Sequence, residues 1–204
     1  YDLEEPIARI LAARDFTKET AGPWLNPSLR DQMPDPSRFK DMDKAIARMV
    51  RAINNGEKIA IFGDYDVDGA TSTSGLKRFL RSIGSTARTQ NPDRFAEGYG
   101  PNAKAMQSLA KEGATLCVTV DCGTTAFEPI AAANQVGMDV IVVDHHAPEP
   151  QLPDALAVIN PVRLDESGEF NYLAAVGVTY LFVVGLNRAL RQQGFFNAQH
   201  SEPN

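Results

Sequence analysis

The stretch Lys58 to Gly75, KIAIFGDYDVDGATSTSG, constrains the fold more than any other. Ile59, Ala60, Ile61 and Phe62 make an apolar block too short for a helix, and Gly63 and Gly69 punctuate the residues after it, the pattern of a buried parallel strand entering a loop. Asp64, Asp66 and Asp68 then fall at or just past the carboxyl end of that strand. Carboxylates this close repel one another unless protons or cations neutralise them, so three together point to a hard divalent metal held by oxygen. The same D-x-D-x-D-G also opens a calcium-binding EF-hand loop. Here the twelfth position is Gly75, where that loop needs a bidentate Glu, and a strand precedes it where that motif needs a helix. A solvated acidic turn is the plain alternative for this stretch taken alone.

The pattern recurs twice. Thr115 to Val120 is a second β-branched, apolar run leading into Asp121-Cys122-Gly123-Thr124, and Val140 to Val143 leads into Asp144-His145-His146. Between these runs lie helical spacings: Leu76, Phe79, Leu80 and Ile83 within Thr71 to Ile83, a segment from Pro101 to about Glu112, and Phe127 to Val136. Thr86 to Gln90 and Leu156 to Ile159 read as further strands, the latter stopped by Asn160-Pro161, and Tyr172 to about Gln193 as a long apolar helix whose Gly177 and Gly185 suit close helix contacts. Pro101 fits a first helical position, where free amides could receive a phosphate. Strand and helix in alternation predict an α/β fold, a mostly parallel sheet with helices on both faces. In such sheets ligands sit beyond the carboxyl ends of the strands. Three strand ends delivering carboxylate and imidazole there suit manganese or magnesium better than structural zinc, with ligands enough for two ions. Two ions about 3.5 to 4 Å apart serve in-line displacement at phosphorus, so hydrolysis of a phosphoester or phosphoanhydride is the implied chemistry.

Ahead of this core, Leu3, Ile7, Ile10 and Leu11 predict a short amphipathic helix over Leu3 to Arg14, followed by a proline-bearing, irregular segment from Gly22 to Phe39 with Trp24 as its anchor. Asp41 or Asp43 is placed to cap a helix running to about Asn55. The expected organisation is a helical and proline-rich lead-in over 1–44 and the catalytic-type domain over 45–204. At 204 residues and 43% hydrophobic the chain can bury a core of its own. Its net charge of −6 gives no global attraction to polyanions, so any nucleic acid must be held by local cations or bound metal. Cys117 and Cys122 lack the further Cys and His of a zinc site and read as free thiols of a reducing cytoplasm. With no apolar run long enough for a bilayer and no secretory pattern in YDLEEP, a cytoplasmic protein without membrane contact is expected. The start at Tyr1 and the polar ending QHSEPN suggest a processed or truncated chain.

GDYDVDG, RFAEGYGPN, DCGT and DHH, in this order and with AAVGV at Ala174 to Val178, resemble the DHH phosphoesterase superfamily, and within it the RecJ-type branch of single-strand-specific 5′ to 3′ DNA exonucleases. The resemblance runs from about Ala45 to about Gly194. It implies metal ligands at Asp66 and Asp68 with Asp64 beside them, a carboxylate bridging the two ions at Asp121, a ligand at His145, and a contact to the scissile phosphate from His146, with Asp144 orienting the pair. Arg94 and Tyr99 match the substrate-facing loop, Arg94 pairing with phosphate and Tyr99 bracing the loop or stacking on a base. The family carries a further Asp in a downstream motif and DNA-gripping modules, and nothing after Gly194 resembles them. By resemblance the chain is a truncated part of a manganese- or magnesium-dependent, single-stranded-DNA exonuclease of repair and recombination, with a helicase and a single-strand-binding protein as partners. By itself it is expected to bind a divalent ion weakly and to degrade DNA little. A phosphohydrolase of short oligonucleotides, cyclic dinucleotides or pyrophosphate, and a scaffold without catalysis, are the competing classes.

Overall fold

The computed structural model describes residues 3–197 and 201–203; Tyr1 and three residues of the polar ending, Gln199, His200 and Asn204, lie outside them. The chain divides into two compact units, Tyr1–Asp35 and Pro36–Asn204. In the first, α1 (Glu5–Ala12) is the predicted amphipathic helix, with an Arg9–Glu5 pair one turn apart. The stretch from Gly22 is less irregular than its prolines suggested. α2 (Lys18–Leu25) runs through Pro23 because Thr17 and Thr20 cap each other's amides, and α3 (Leu29–Gln32) adds one further turn. Trp24 sets its ring 5.0 Å from that of Phe16.

The second unit opens with a 3-10 turn (Pro36–Arg38) and α4 (Met42–Asn54), then alternates β1 (Ile59–Gly63), α5 (Val67–Ser82), β2 (Ala87–Gln90), α6 (Ala103–Lys111), β3 (Leu116–Val120), α7 (Phe127–Gln135), β4 (Asp139–Val143), β5 (Ala157–Ile159) and α8 (Ala175–Gln192). The strands form one sheet in the order β2-β1-β3-β4-β5, every pairing parallel. Side chains alternate between its faces. Ile59, Ile61, Leu116, Val118, Ile141 and Val143 enter the core shared with α4, α5 and α8, whereas Ala60, Phe62, Cys117, Val140 and Val142 enter the one shared with α6 and α7. Both cysteines are buried and free.

Three details depart from the sequence expectations. α5 begins at Val67 rather than Thr71, because the Asp66 carboxylate caps it by accepting from the Gly69 amide at 2.9 Å. Asp41 stands at the N-cap of α4 but caps nothing with its side chain; Oδ2 instead accepts from the Val158 amide and from Arg163, covering the open edge of β5. Pro101 precedes the cap of α6. Asn102 is that cap and accepts from the Ala105 amide at 2.9 Å, so this amide is already used. Gly185 does admit a close contact, with the Ile46 side chain of α4. Among the described residues no helix is long and apolar enough to cross a membrane.

Candidate metal centre

The strand order reverses between β1 and β3: the chain moves outward from β1 to β2, then returns to the other side of β1 to build β3, β4 and β5. Loops on the two sides of this point diverge and leave a crevice at the carboxyl ends of β1 and β3. Asp64 and Asp66 follow β1, Asp121 follows β3, and Asp144, His145 and His146 follow β4. Two groups of potential ligand atoms lie there, each within 4.8 Å: one from Asp64, Asp66 and Asp121, the other from Asp121, His145 and His146. Asp121 belongs to both, the place expected of a bridging carboxylate.

Asp121 is the most constrained member. Its backbone is left-handed (φ 61°), uncommon for a residue with a side chain, and its amide is fixed to the Val143 carbonyl at 3.0 Å. The side chain is 1% exposed and neither carboxylate oxygen has a hydrogen-bond partner. Burial, then the neighbouring carboxylates of Asp66 and Asp68, push its carboxyl up to about 8, with His146 pulling the other way. Asp64 repeats this on a smaller scale: it is buried, Oδ1 is unpartnered, and burial raises it above the usual carboxylate range against the pull of the Tyr65 and Gly100 amides. Asp66 lies below that range because the Gly69 amide stabilises its charge. Gly69 is required here, since a Cβ at this position would lie 2.5 Å from the Asp64 carbonyl oxygen.

Buried carboxylate oxygens without donors, drawn together from separate strands, are what a divalent cation would satisfy, so the residues fit the metal their residue types imply. Asp68 is placed differently. Its Oδ2 and Oδ1 accept from the amides of Ala175 and Val176, at 2.8 and 2.7 Å, so it serves as the distant cap of α8, which has none of its own. Asp68 stands outside both ligand groups, yet its Oδ2 is 3.6 Å from His145 Nε2, which is also 3.4 Å from Asp121 Oδ1.

Asp144 is the orienting residue of the pair that follows it. Its Oδ1 accepts from the His145 amide (2.7 Å), the His146 amide (3.2 Å) and His146 Nδ1 (2.7 Å), and its Oδ2 from the Thr124 amide (3.0 Å). Burial opposes the charge, but the bonds from His146 and Thr124 outweigh it and hold the carboxyl down at about 2. The same bond raises His146 above the ordinary imidazole value. Tyr99 lies against His146: its hydroxyl is 3.2 Å from the Asp121 carbonyl and 3.0 Å from His146 Nδ1, and burial, with surrounding negative charge, raises the phenol. Arg94 lies at the rim with its guanidinium 5.2 Å from the centre of the Tyr65 ring. The loop bearing it is braced internally: Asp93 Oδ1 accepts from the Phe95 and Ala96 amides, and Asn102 donates to Glu97.

Two asparagines complete the edge and were not singled out for the site in the sequence. Asn91, just past β2, donates to the carbonyls of Gly63 and Asp64; Asn160, just past β5, donates to Thr124 Oγ1 and to the His146 carbonyl, both at 2.9 Å. All five strands are thus followed by a polar side chain, and those of Asn91 and Asn160 brace the loops that carry the candidate ligands. Position at a strand end was the available signal, obscured because Asn at a strand end also reads as a turn residue.

Comparison with known proteins agrees with this geometry. The family model for the DHH family, N-terminal domain, matches residues 58–201, well over half of the chain. The single-stranded-DNA-specific exonuclease RecJ of Bacillus subtilis is 41% identical over 175 residues, 85% of this chain and 22% of that protein. RecJ of Escherichia coli is 36% identical over 177 residues, 86% of this chain and 30% of that protein. A crystal structure of exonuclease RecJ bound to manganese superposes with a TM-score of 0.68 at 32% identity, over 74% of this chain and 38% of that one. RecJ from Thermus thermophilus in complex with Mn2+ gives 0.63 at 28% identity, over 75% and 22%. The chain thus spans less than a third of the length of these curated relatives. A family match over most of the chain, on a parallel sheet whose ends converge as those motifs require, establishes that this chain belongs to the DHH family.

Proposed function

We propose that this chain carries the metal-holding part of a phosphodiesterase that removes nucleotides from the 5′ end of single-stranded DNA, with manganese or magnesium as cofactor. One observation carries this: both oxygens of Asp121 are buried without a donor, at the junction of two ligand groups. Asp64, Asp66, Asp121 and His145 are the residues that would hold the ions, with Asp68 at the margin of the set. When bound, such ions supply positive charge against a phosphoryl oxygen and its leaving group. The remaining work falls to side chains of this chain. Asp144 accepts the Nδ1 proton of His146, fixing the ring and favouring the imidazolium, which is suited to pair with a phosphate oxygen. Tyr99 keeps that ring in place, and Arg94 offers a cation to the phosphate backbone despite the acidic balance of the whole. RecJ relatives that are single-strand-specific exonucleases, and RecJ structures with manganese, support this assignment. Roles in DNA repair and recombination, helicase and single-strand-binding partners, a cytoplasmic setting and a catalytic domain running from residue 45 belong to the same proposal.

Calorimetric titration of the chain with Mn2+, followed by product analysis on 5′-phosphorylated oligonucleotides, tests it. Mn2+ binds the native chain and not Asp121→Asn, and slow release of 5′ mononucleotides is confined to single strands. Absence of Mn2+ binding refutes the metal centre. Faster turnover of pyrophosphate or a cyclic dinucleotide than of single-stranded DNA replaces the exonuclease with a small-substrate phosphohydrolase.

A further inference from the structure

Next to the metal centre, on the side of α6 and α7, lies a second hollow of about 300 Å³ between the Tyr99 loop and the segment joining β3 to α7. Tyr99, Pro101, Phe127 and Pro129 supply apolar walls, and Thr125 and Glu128 supply polar groups. Phe127 and Pro129 are only half-buried. No Lys, Arg or His lines the hollow, and its one charged group is the Glu128 carboxylate, so it repels phosphate and suits a flat, uncharged group with hydrogen-bond donors. Tyr99 joins the two places: its ring lines the hollow while its hydroxyl reaches the Asp121 carbonyl and His146.

We propose that this hollow is a nucleobase subsite, taking the base of the nucleotide whose phosphate lies at the metal centre. The assignment rests on the metal-centre function proposed above and adds to it where the rest of the nucleotide is held. Tyr99 and Phe127 offer ring faces for stacking, which every base can use, so the subsite grips without selecting sequence. Glu128 accepts from an exocyclic amine or ring N–H and, by its charge, turns the phosphate end of the ligand towards the metal.

The test compares 2′-deoxyadenosine 5′-monophosphate with 2-deoxyribose 5-phosphate as ligands of the chain saturated with Mg2+, by saturation-transfer NMR. Separate calorimetry reports metal affinity. The nucleotide binds roughly tenfold more tightly than the sugar phosphate, the worth of one stacked base. Phe127→Ala removes that difference while leaving metal affinity and the affinity for the sugar phosphate unchanged, which also shows that the variant is folded. Glu128→Gln retains the stacking preference and tightens binding of inorganic phosphate. Equal affinity for the two ligands, no detectable nucleotide binding with metal bound, or an unaltered preference in Phe127→Ala overturns the subsite and leaves the metal centre standing. Failure of the native chain to bind metal overturns both.

Discussion

Replacing Asp121 by Asn in the metal-free chain is expected to stabilise the fold while abolishing the metal site. The Asp121 carboxyl is moved from an ordinary value of 3.8 up to about 8. Between those values the folded chain keeps a proton that the unfolded chain has lost, so stability declines as pH rises, at about 1.4 kcal/mol per unit. At pH 7 the accumulated cost is about 4 kcal/mol, and above pH 8 it grows no further. Asn occupies the same space, carries no charge, and can donate from its amide to the Asp66 carboxylate beside it. Urea unfolding in the presence of EDTA, repeated from pH 4 to pH 8, measures the difference: near zero at pH 4, and about 4 kcal/mol in favour of Asn at pH 7. Added Mn2+ closes most of that gap, because only the native chain gains about 2.7 kcal/mol at a hundredfold excess over its dissociation constant, and about 4.1 kcal/mol at a thousandfold excess brings the two level. Parallel pH profiles for the two proteins, or equal stabilisation of both by Mn2+, would refute the claim that Asp121 is a strained carboxylate awaiting a cation.

Asp144→Asn has the opposite sign. The Asp144 carboxyl is depressed to about 2, so its contribution is complete above about pH 4 and fades as pH falls towards 2; the variant loses about 2 kcal/mol at pH 7, and NMR titration shows His146 becoming less basic. Gly69→Ala drives a methyl group against the Asp64 carbonyl and costs about 1 to 3 kcal/mol in urea unfolding, with weaker Mn2+ binding because Asp64 is displaced. Gly185→Ala places a methyl 2.5 Å from Ile46 Cδ1, and Ile46→Ala in the same chain restores room. A double-mutant cycle gives a favourable coupling of at least about 0.5 kcal/mol, and simple additivity would show that α4 and α8 do not meet there.

Much of this molecule was legible because burial on both faces of a parallel sheet leaves a strong trace. Ile59 to Phe62, Leu116 to Val120 and Val140 to Val143 have no polar alternation to confuse with an exposed strand, and a carboxylate follows the first after one glycine and the other two at once. Helices with wide apolar stripes were equally plain. The lead-in was not, since Pro23 suggests a break and only the reciprocal bonds of Thr17 and Thr20 make α2 possible. Similarly, Asp66 and Gly69 move the start of α5 towards the strand, a decision made by one side-chain bond.

The individual site residues divide along the same line. The placing of Asp121 and His145 at neighbouring strand ends was legible from residue type and position after a strand. The task of Asp68 was hidden because its partners, the Ala175 and Val176 amides, lie more than a hundred residues along the chain and acquire meaning only when α8 crosses to α5. Asn160 was unremarkable until β5 took the outer place in the sheet and brought its amide to Thr124 and His146.

By itself, the order of residues determined which segments would be strands, which of their ends would carry charge, and hence where an oxygen-rich cation site was to be sought. Only the tertiary structure decided which carboxylates converge and which hold backbone amides. Local pattern reports how a segment divides between water and core, whereas the sharing of a ligand depends on strand order, and strand order is set by long-range packing that no short window contains.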